Sequence, residues 1–320
     1  MAKRKTTSKK NDTQVAAIIA GLFAAVVILF LIFSKAHQEP SMETAPGEQP
    51  LSSVQAPQEE VPNEMPAAVT HHHMIAAYQQ EQQEETPNPQ PIGNISGSGA
   101  KIAFIIDDWG QTIANCRYLK EIPEPMAVSI LPGLRHTKDV ANCAREYNKV
   151  AMLHLPLEAL HNGDFYPPDY IIKTNMPPSL VNKIVEEDLD QLPSIEGVNN
   201  HMGSKATADR PLMTLIFRKI KPRGLFFVDS MTSPHSISAK LAGEMGLAYG
   251  RRDVFLDNIN TREAIVKQLV ALARVARRHG YAVAIGHDRH LTMQVLKDEI
   301  PWLEHQGFQI VSIKELLHNR

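Results

Sequence analysis

Short apolar runs alternate with amphipathic helical patterns from Ala100 onward, and this alternation constrains the fold more than any other feature. Several runs are continuously apolar, which is typical of parallel strands covered on both faces. Between them, apolar residues recur at spacings of three and four, as in residues 181–192, and this spacing predicts helices with one buried face. The predicted strands are residues 102–106, 126–131, 150–153, 197–200, 225–228, 248–250, 282–285 and 308–313.

Seven or eight strand–helix repeats predict an α/β fold. We expect a distorted (β/α) barrel of seven or eight mostly parallel strands, with a doubly wound sheet as the alternative. The sequence contains neither a GxGxxG nor a GxxxxGK[ST] loop, so it lacks both of the common phosphate-binding loops.

The first hundred residues differ in composition and divide into three segments. Residues 1–13 are basic, and residues 14–34 contain an uncharged apolar run from Val15 to Phe33. As a helix this run is about 28 Å long, close to the thickness of a bilayer core, and it predicts a transmembrane anchor. Between residues 39 and 99 there are nine Pro and nine Glu but no Lys or Arg. Residues 35–99 are therefore expected to form a disordered acidic linker to a barrel domain at 100–320.

The charges around the apolar run predict its orientation. The basic cluster precedes the run and only Lys35 follows it closely, which places the N-terminus in the cytoplasm. We expect a single-pass protein of the cytoplasmic (inner) membrane, with its domain on the periplasmic or extracellular side. A cleaved signal peptide is the alternative, with a weak candidate site at Ser34-Lys35-Ala36.

Composition also excludes some classes of function. The net charge is −2 and no basic patch is interleaved with aromatic residues, so nucleic acid is not an expected partner. Cys116 and Cys143 are the only cysteines, which excludes a disulfide framework and a four-cysteine zinc site. The run His71-His72-His73 lies in the linker and is interpreted as incidental.

Polar residues follow most of the predicted strands. Because βα loops gather at the C-terminal ends of parallel strands, we expect these residues to share one mouth of the barrel. Taken one at a time, the acids could instead cap helices and the histidines could be structural. The residues are Asp107, Asp108, His154, Glu158, Asn199, Asn200, His201, Asp229, Ser230 and His287.

One carboxylate and two imidazoles are a suitable ligand set for a divalent cation, with Zn²⁺ expected. Such a cation lowers the pKa of bound water from 15.7 to about 7. A second carboxylate can then accept a proton, and a further His can protonate a leaving amine. The residue types therefore supply the parts for hydrolysis of an amide or ester.

Six motifs together resemble the divergent polysaccharide deacetylase family, a remote branch of the NodB-homology carbohydrate deacetylases. The resemblance spans nearly all of residues 100–320 and implies a distorted (β/α) barrel that removes acetyl groups from an envelope glycan. It also implies that Asp107 is the catalytic base, Asp108 a metal ligand and His287 the general acid. The motifs are IIDDWG, LHLPLE, GVNNHMGS, GLFFVDS, RDVFLDN and AIGHDRHLT.

The chain departs from mainstream deacetylases at the remaining ligands. Mainstream members have two His four residues apart where this chain has His154 and Glu158. We expect His154 and His201 to be the other metal ligands. Glu158 is the alternative to His201, or it positions substrate.

Further residues at the strand ends are candidates for substrate binding. VNNHMGS stands where mainstream members have Arg-x-Pro-Tyr, and Asn200 within it is a candidate for substrate binding. Asp229 is expected to bind sugar hydroxyls or to orient His287. Asp253 and Asp257 receive no role from the sequence.

Three functions remain open at this point. The first is a membrane-anchored, metal-dependent deacetylase whose substrate is an acetylated glycan. The second is a catalytically inactive deacetylase-like barrel that binds or regulates in the envelope. The third is a metal-dependent phosphohydrolase, against which the lack of Lys or Arg at most strand ends counts.

Overall fold

A computed structural model describes residues 96–97, 99–161 and 170–318 of the chain. The strands are β1 (Lys101–Trp109), β2 (Ala127–Ile130), β3 (Val150–Leu157), β4 (Gly197–Met202), β5 (Phe226–Asp229), β6 (Tyr249–Arg251), β7 (Val254–Phe255), β8 (Tyr281–His287) and β9 (Gln309–Ile310). The α-helices are α1 (Cys116–Glu121), α2 (Thr137–Glu146), α3 (Pro178–Gln191), α4 (Arg210–Ile220), α5 (Ser238–Met245), α6 (Arg262–His279), α7 (His290–His305) and α8 (Ile313–His318).

The strands form one parallel sheet that curls into a barrel. Their order is β6-β5-β4-β3-β2-β1-β8-β7, and β9 pairs separately with the start of β1. β6 pairs with β5, whereas β7 pairs with β8. Because β6 and β7 are separated only by Arg252 and Asp253, the chain itself passes from one edge of the sheet to the other. This segment bridges the two edges of the sheet.

Alternate residues of each strand enter two different apolar layers, as the period of two along a strand requires. On β1, Ile102, Phe104 and Ile106 belong to the layer covered by helices, whereas Ala103 and Ile105 belong to the barrel interior. Apolar residues of α8 complete the interior layer at the end where β1 begins. The opposite end of the interior is left to polar side chains.

The predicted α/β barrel is confirmed, with two local differences. Val254–Phe255 is a strand that the sequence did not predict, because two residues are too short to show a periodicity. The predicted strand at 308–313 is wrong in its second half, since β9 ends at Ile310 and α8 begins at Ile313. The second apolar half of that segment packs as a helix against the barrel interior.

The predicted segments at 1–13 and 14–34, and nearly all of the linker at 35–99, lie outside the described residues. Within the described part of the chain, no helix combines the length and apolar character needed to cross a bilayer.

Asp188 on α3 is a buried acid that predicts a pH-dependent stability. Its side chain has an oxygen without a hydrogen-bond partner in the described residues, and burial, aided by Glu187, raises its pKa to about 7. The folded state therefore keeps a proton that the unfolded state loses above pH ~4. Stability attributable to this group falls as pH rises from about 4 to 7. We expect Asp188→Asn to raise the free energy of unfolding at pH 8, by at most about 4 kcal/mol, and to have little effect near pH 4.

Urea denaturation at the two pH values measures this difference. Asp190→Asn on the same helix is the control, because the Asp190 side chain is 73% exposed and its change is expected to stay within about 0.5 kcal/mol. An equal effect of Asp188→Asn at both pH values would contradict the prediction.

Candidate metal centre and active site

The interior face of the barrel changes from apolar to polar near the C-terminal ends of the strands. On β1, Asp107 continues the face that begins with Ala103 and Ile105, and on β8 His287 continues the face of Val283 and Ile285. Parallel pairing sets these polar residues side by side. The Cα partners are Asp107 with His287 and His154 with Asn199. The polar interior residues are Asp107, Ser129, His154, Asn199, His201, Ser230 and His287.

Adjacent residues of a regular strand point to opposite faces, but Asp107 and Asp108 both reach the same mouth. The register of β1 with β2 explains this, because Ile106 pairs with Val128 while Trp109 pairs with Ile130. One extra residue is accommodated on β1, and Asp108 has a φ of 65°. A bulge of this kind redirects a side chain, and Asp tolerates the left-handed conformation better than most residues. The bulge therefore presents both carboxylates to one site.

Three possible ligand atoms converge at this mouth. Asp108 Oδ1 lies 3.0 Å from His201 Nδ1 and 3.2 Å from His154 Nε2, and the two nitrogens are 3.2 Å apart. Asp108 Oδ1 is buried and forms no contact of hydrogen-bond geometry in the described residues. Two ligands at about 2.0–2.1 Å from one tetrahedral zinc ion lie roughly 3.3 Å apart. The donor set and its spacing fit a divalent cation.

Burial and charge act together on the acids of the site. Burial raises the pKa of Asp107 above its usual range, and the nearby Asp108 adds to this while His154 opposes it. Burial alone would also raise the pKa of Asp108, but the imidazoles of His154 and His201 outweigh it and hold that pKa well below its usual range. Asp108 is thus the firmly ionised member of the pair, which suits a ligand to a cation.

Asp257 contacts the imidazole of His287, and the sequence did not predict this contact. Asp257 Oδ1 lies 2.9 Å from His287 Nδ1, and Oδ2 accepts hydrogen bonds from the His287 amide at 3.0 Å and the Thr292 hydroxyl at 2.7 Å. His287 Nε2 then faces the site, 3.8 Å from Asp108 Oδ2. Burial would lower the pKa of His287, but Asp257 outweighs it and raises that pKa. The Asp257 carboxylate therefore favours the protonated imidazole, which is the form that a proton donor requires.

Asp229 does not contact His287 because its side chain lies on the face of β5 that is turned away from the barrel interior. Its neighbours Phe226 and Val228 belong to the barrel interior, whereas Asp229 lies with Phe227 on the helix-facing side. Its carboxylate accepts hydrogen bonds from the amide of Met231 and from the hydroxyl of Ser236. The orienting role considered for Asp229 therefore belongs to Asp257.

Glu158 lies away from the three converging atoms. Its carboxylate accepts hydrogen bonds from the Thr174 amide and hydroxyl at 2.8 and 2.7 Å, and it pairs with Lys205 at 2.8 Å. The geometry thus brings His201, and not Glu158, to Asp108.

Asn200, a candidate for substrate binding, is buried. Its side-chain amide donates a hydrogen bond to the Met202 carbonyl and accepts one from the Ser230 backbone amide. These contacts connect the ends of β4 and β5. Its role toward substrate stays a prediction.

Replacing Asp257 by Asn is expected to lower the pKa of His287. A neighbouring carboxylate stabilises the imidazolium, so loss of its charge moves the titration of His287 to lower pH. Nuclear magnetic resonance titration of the histidine ring signals in metal-free protein measures the pKa. Thr292→Ala removes one hydrogen bond to Asp257 but keeps its charge, and it should shift the pKa less. Equal pKa values in wild type and Asp257→Asn would contradict this account.

Comparison with known proteins shows the family of this chain. The sequence profile described as divergent polysaccharide deacetylase matches residues 104–317. A protein of Haemophilus influenzae Rd is 30% identical over 226 residues, which cover 71% of this chain and 80% of that protein. YibQ of Escherichia coli K12 is 28% identical over 200 residues, 62% of each chain. The crystal structure of ATU2773 from Agrobacterium tumefaciens C58 has a TM-score of 0.64 at 21% identity, covering 71% of this chain and 95% of that one. The chain belongs to the divergent polysaccharide deacetylase family.

Proposed function

We propose that this protein is a membrane-anchored, metal-dependent carbohydrate deacetylase that hydrolyses acetyl groups on a cell-envelope glycan. The observation that carries the proposal is the convergence of Asp108, His154 and His201 on one point, between Asp107 and His287. Membership of the deacetylase family supports the reaction class and a glycan substrate.

The ligand atoms of the proposed site are Asp108 Oδ1, His154 Nε2 and His201 Nδ1. A divalent cation held there, with Zn²⁺ expected, would act as a Lewis acid on the acetyl carbonyl and would lower the pKa of water. The residues around it then divide the proton transfers. Asp107 Oδ2 lies 3.7 Å from His154 Nε2 and so faces the ligand atoms, where it accepts the proton of the attacking water.

His287 acts on the other side of the site. Its Nδ1 is engaged by Asp257, so Nε2 is the atom that donates a proton to the leaving amine or alcohol. Burial raises the pKa of Asp107, which strengthens it as a base, and Asp257 raises the pKa of His287, which favours its protonated form.

A catalytically inactive barrel is the second candidate function, because the site departs from mainstream deacetylases. His154 and Glu158 occupy the place of the usual His pair, and the Arg-x-Pro-Tyr motif is absent. Such a protein would bind glycan, with or without metal, and release no acetate.

The proposal includes the location of the protein. The apolar segment at 14–34 anchors the chain in the cytoplasmic membrane, with the barrel on the periplasmic or extracellular side. Its support is the uncharged run after a basic N-terminus. We expect the full-length chain in the membrane fraction and resistant to carbonate extraction. Protease added outside the cytoplasmic membrane should then cleave it, and a soluble cytoplasmic chain would overturn this part of the proposal.

Asp108→Ala and His201→Ala are expected to lose both bound metal and activity, because each removes one of three ligands. Glu158→Gln is the matched control and should keep the metal, since Glu158 pairs with Lys205 instead. Metal content by elemental analysis and acetate release from acetylated oligosaccharides and peptidoglycan fragments measure the two properties in the full-length chain.

Asp107→Asn separates the base from the ligands. It should retain the metal and lose acetate release by about 10²- to 10⁴-fold. Stoichiometric metal without acetate release in wild type would support the inactive barrel, and the absence of both would overturn the metal-dependent deacetylase.

A further inference from the structure

Asn199 lies inside the site and is 0% exposed. Its amide connects side chains from four strand ends. The carbonyl oxygen faces His154 Nδ1 at 2.9 Å and accepts a hydrogen bond from the Ser129 hydroxyl. The amide nitrogen donates to Asp107 Oδ1 at 2.8 Å and to Ser230 Oγ at 3.3 Å. Both the proposed base and a proposed metal ligand are therefore bound to one neutral side chain.

The partners of Asn199 determine which way its amide points. In the ionised form that a base requires, the Asp107 carboxylate only accepts hydrogen bonds, so the NH₂ group of Asn199 faces it. The reversed amide would set its carbonyl oxygen against the Asp107 carboxylate. The carbonyl oxygen consequently faces His154, an orientation assigned from the network of partners.

This orientation selects one tautomer of neutral His154. A carbonyl oxygen cannot donate, so Nδ1 of His154 carries the proton and Nε2 keeps its lone pair. Nε2 is the atom that lies 3.2 Å from Asp108 Oδ1, among the converging ligand atoms. The opposite tautomer would direct an N–H group at the cation. Partners of this kind are known to orient histidine ligands and to raise their basicity.

Asn199 also restricts the Asp107 carboxylate. Oδ1 of Asp107 accepts the amide hydrogen bond, and Oδ2 faces the ligand atoms, 3.7 Å from His154 Nε2. Rotation of the carboxylate would break a buried hydrogen bond, which costs free energy. Asn199 thus holds the Asp107 carboxylate with one oxygen directed at the cation site.

We propose that Asn199 is a positioning residue that joins the two parts of the site, setting the His154 tautomer for metal binding and the Asp107 carboxylate for proton transfer. The inference rests on the proposed function for its second half, whereas its first half concerns metal binding alone. Asn199 makes this connection from the segment VNNHMGS, which stands in place of the missing Arg-x-Pro-Tyr motif.

Two substitutions of Asn199 separate the two effects. Asn199→Ala removes the acceptor and the donor, and we expect Zn²⁺ affinity to fall about 10- to 100-fold. Asn199→Asp keeps an acceptor for His154 but sets a second carboxyl group against Asp107, and two acids in contact share one proton, so Asp107 is less available to accept another. This variant should bind Zn²⁺ no more weakly than wild type, yet release acetate at least about tenfold more slowly. Calorimetric Zn²⁺ titration of the full-length chain, purified in detergent and stripped of metal, measures affinity.

Val198→Ala is the matched control for a general loss of stability. Val198 precedes Asn199 on β4, is buried, and faces the helices instead of the site. Its truncation leaves a cavity and lowers the free energy of unfolding but should leave Zn²⁺ affinity unchanged. Unchanged affinity in Asn199→Ala, or an equal loss in Val198→Ala, would overturn the inference.

The outcomes for the inference and for the proposed function are distinguishable. Zn²⁺ binding that weakens in Asn199→Ala, with no acetate release by wild type, supports the metal-positioning role and overturns the deacetylase. Acetate release with Zn²⁺ affinity unaffected by Asn199→Ala supports the deacetylase and overturns the inference. A wild type that binds no Zn²⁺ overturns both.

Discussion

The site depends on the pairing of β1 with β8 and β2, which is regular toward β8 and interrupted toward β2 by one extra residue at Asp108. Pairing with β8 in register sets Asp107 beside His287. The irregular pairing with β2 redirects Asp108 to the same mouth, at the cost of a left-handed backbone conformation. Strained conformations of this kind persist only where the surrounding structure enforces them. Here parallel strands on both sides hold β1, and the buried layers on its two faces leave it little freedom.

The charged side chains at the mouth can be buried because groups of opposite charge lie close together. An isolated carboxylate in an apolar interior is costly, and it responds by changing its protonation state. Asp108 lies against two imidazoles, and His287 lies against Asp257. Asp107 has a neutral amide donor in Asn199 and the more distant His154 as its opposing charge, and burial raises its pKa. The environments of the two adjacent acids therefore differ in kind, and this difference supports the proposed roles of Asp108 as a ligand and Asp107 as a base.

The sequence predicted much of this arrangement because the signal for each residue was local. Apolar runs marked the strands, and the polar residues that followed them included Asp107, Asp108, His154, His201 and His287. Asp257 was not assigned a role because β7 has only two residues and carries no periodic signal. Asn199 was recognised at a strand end but had no role, since its significance comes from contacts with β1 and β3. Asp229 was considered as the residue that orients His287, but Asp257 makes that contact. The face on which a residue of a short strand lies depends on the register with neighbouring strands.

Spacing and motifs along the chain are sufficient to derive the barrel class, the strand ends that carry polar side chains and the family to which those motifs belong. Which of these side chains meet depends instead on the folded chain. It brought His201 rather than Glu158 to Asp108, paired Asp257 with His287, and put Asn199 between His154 and Asp107. Strand register, the bulge at Asp108 and the bridging of the barrel edges by β6 and β7 are interactions between distant segments, and no local pattern encodes them.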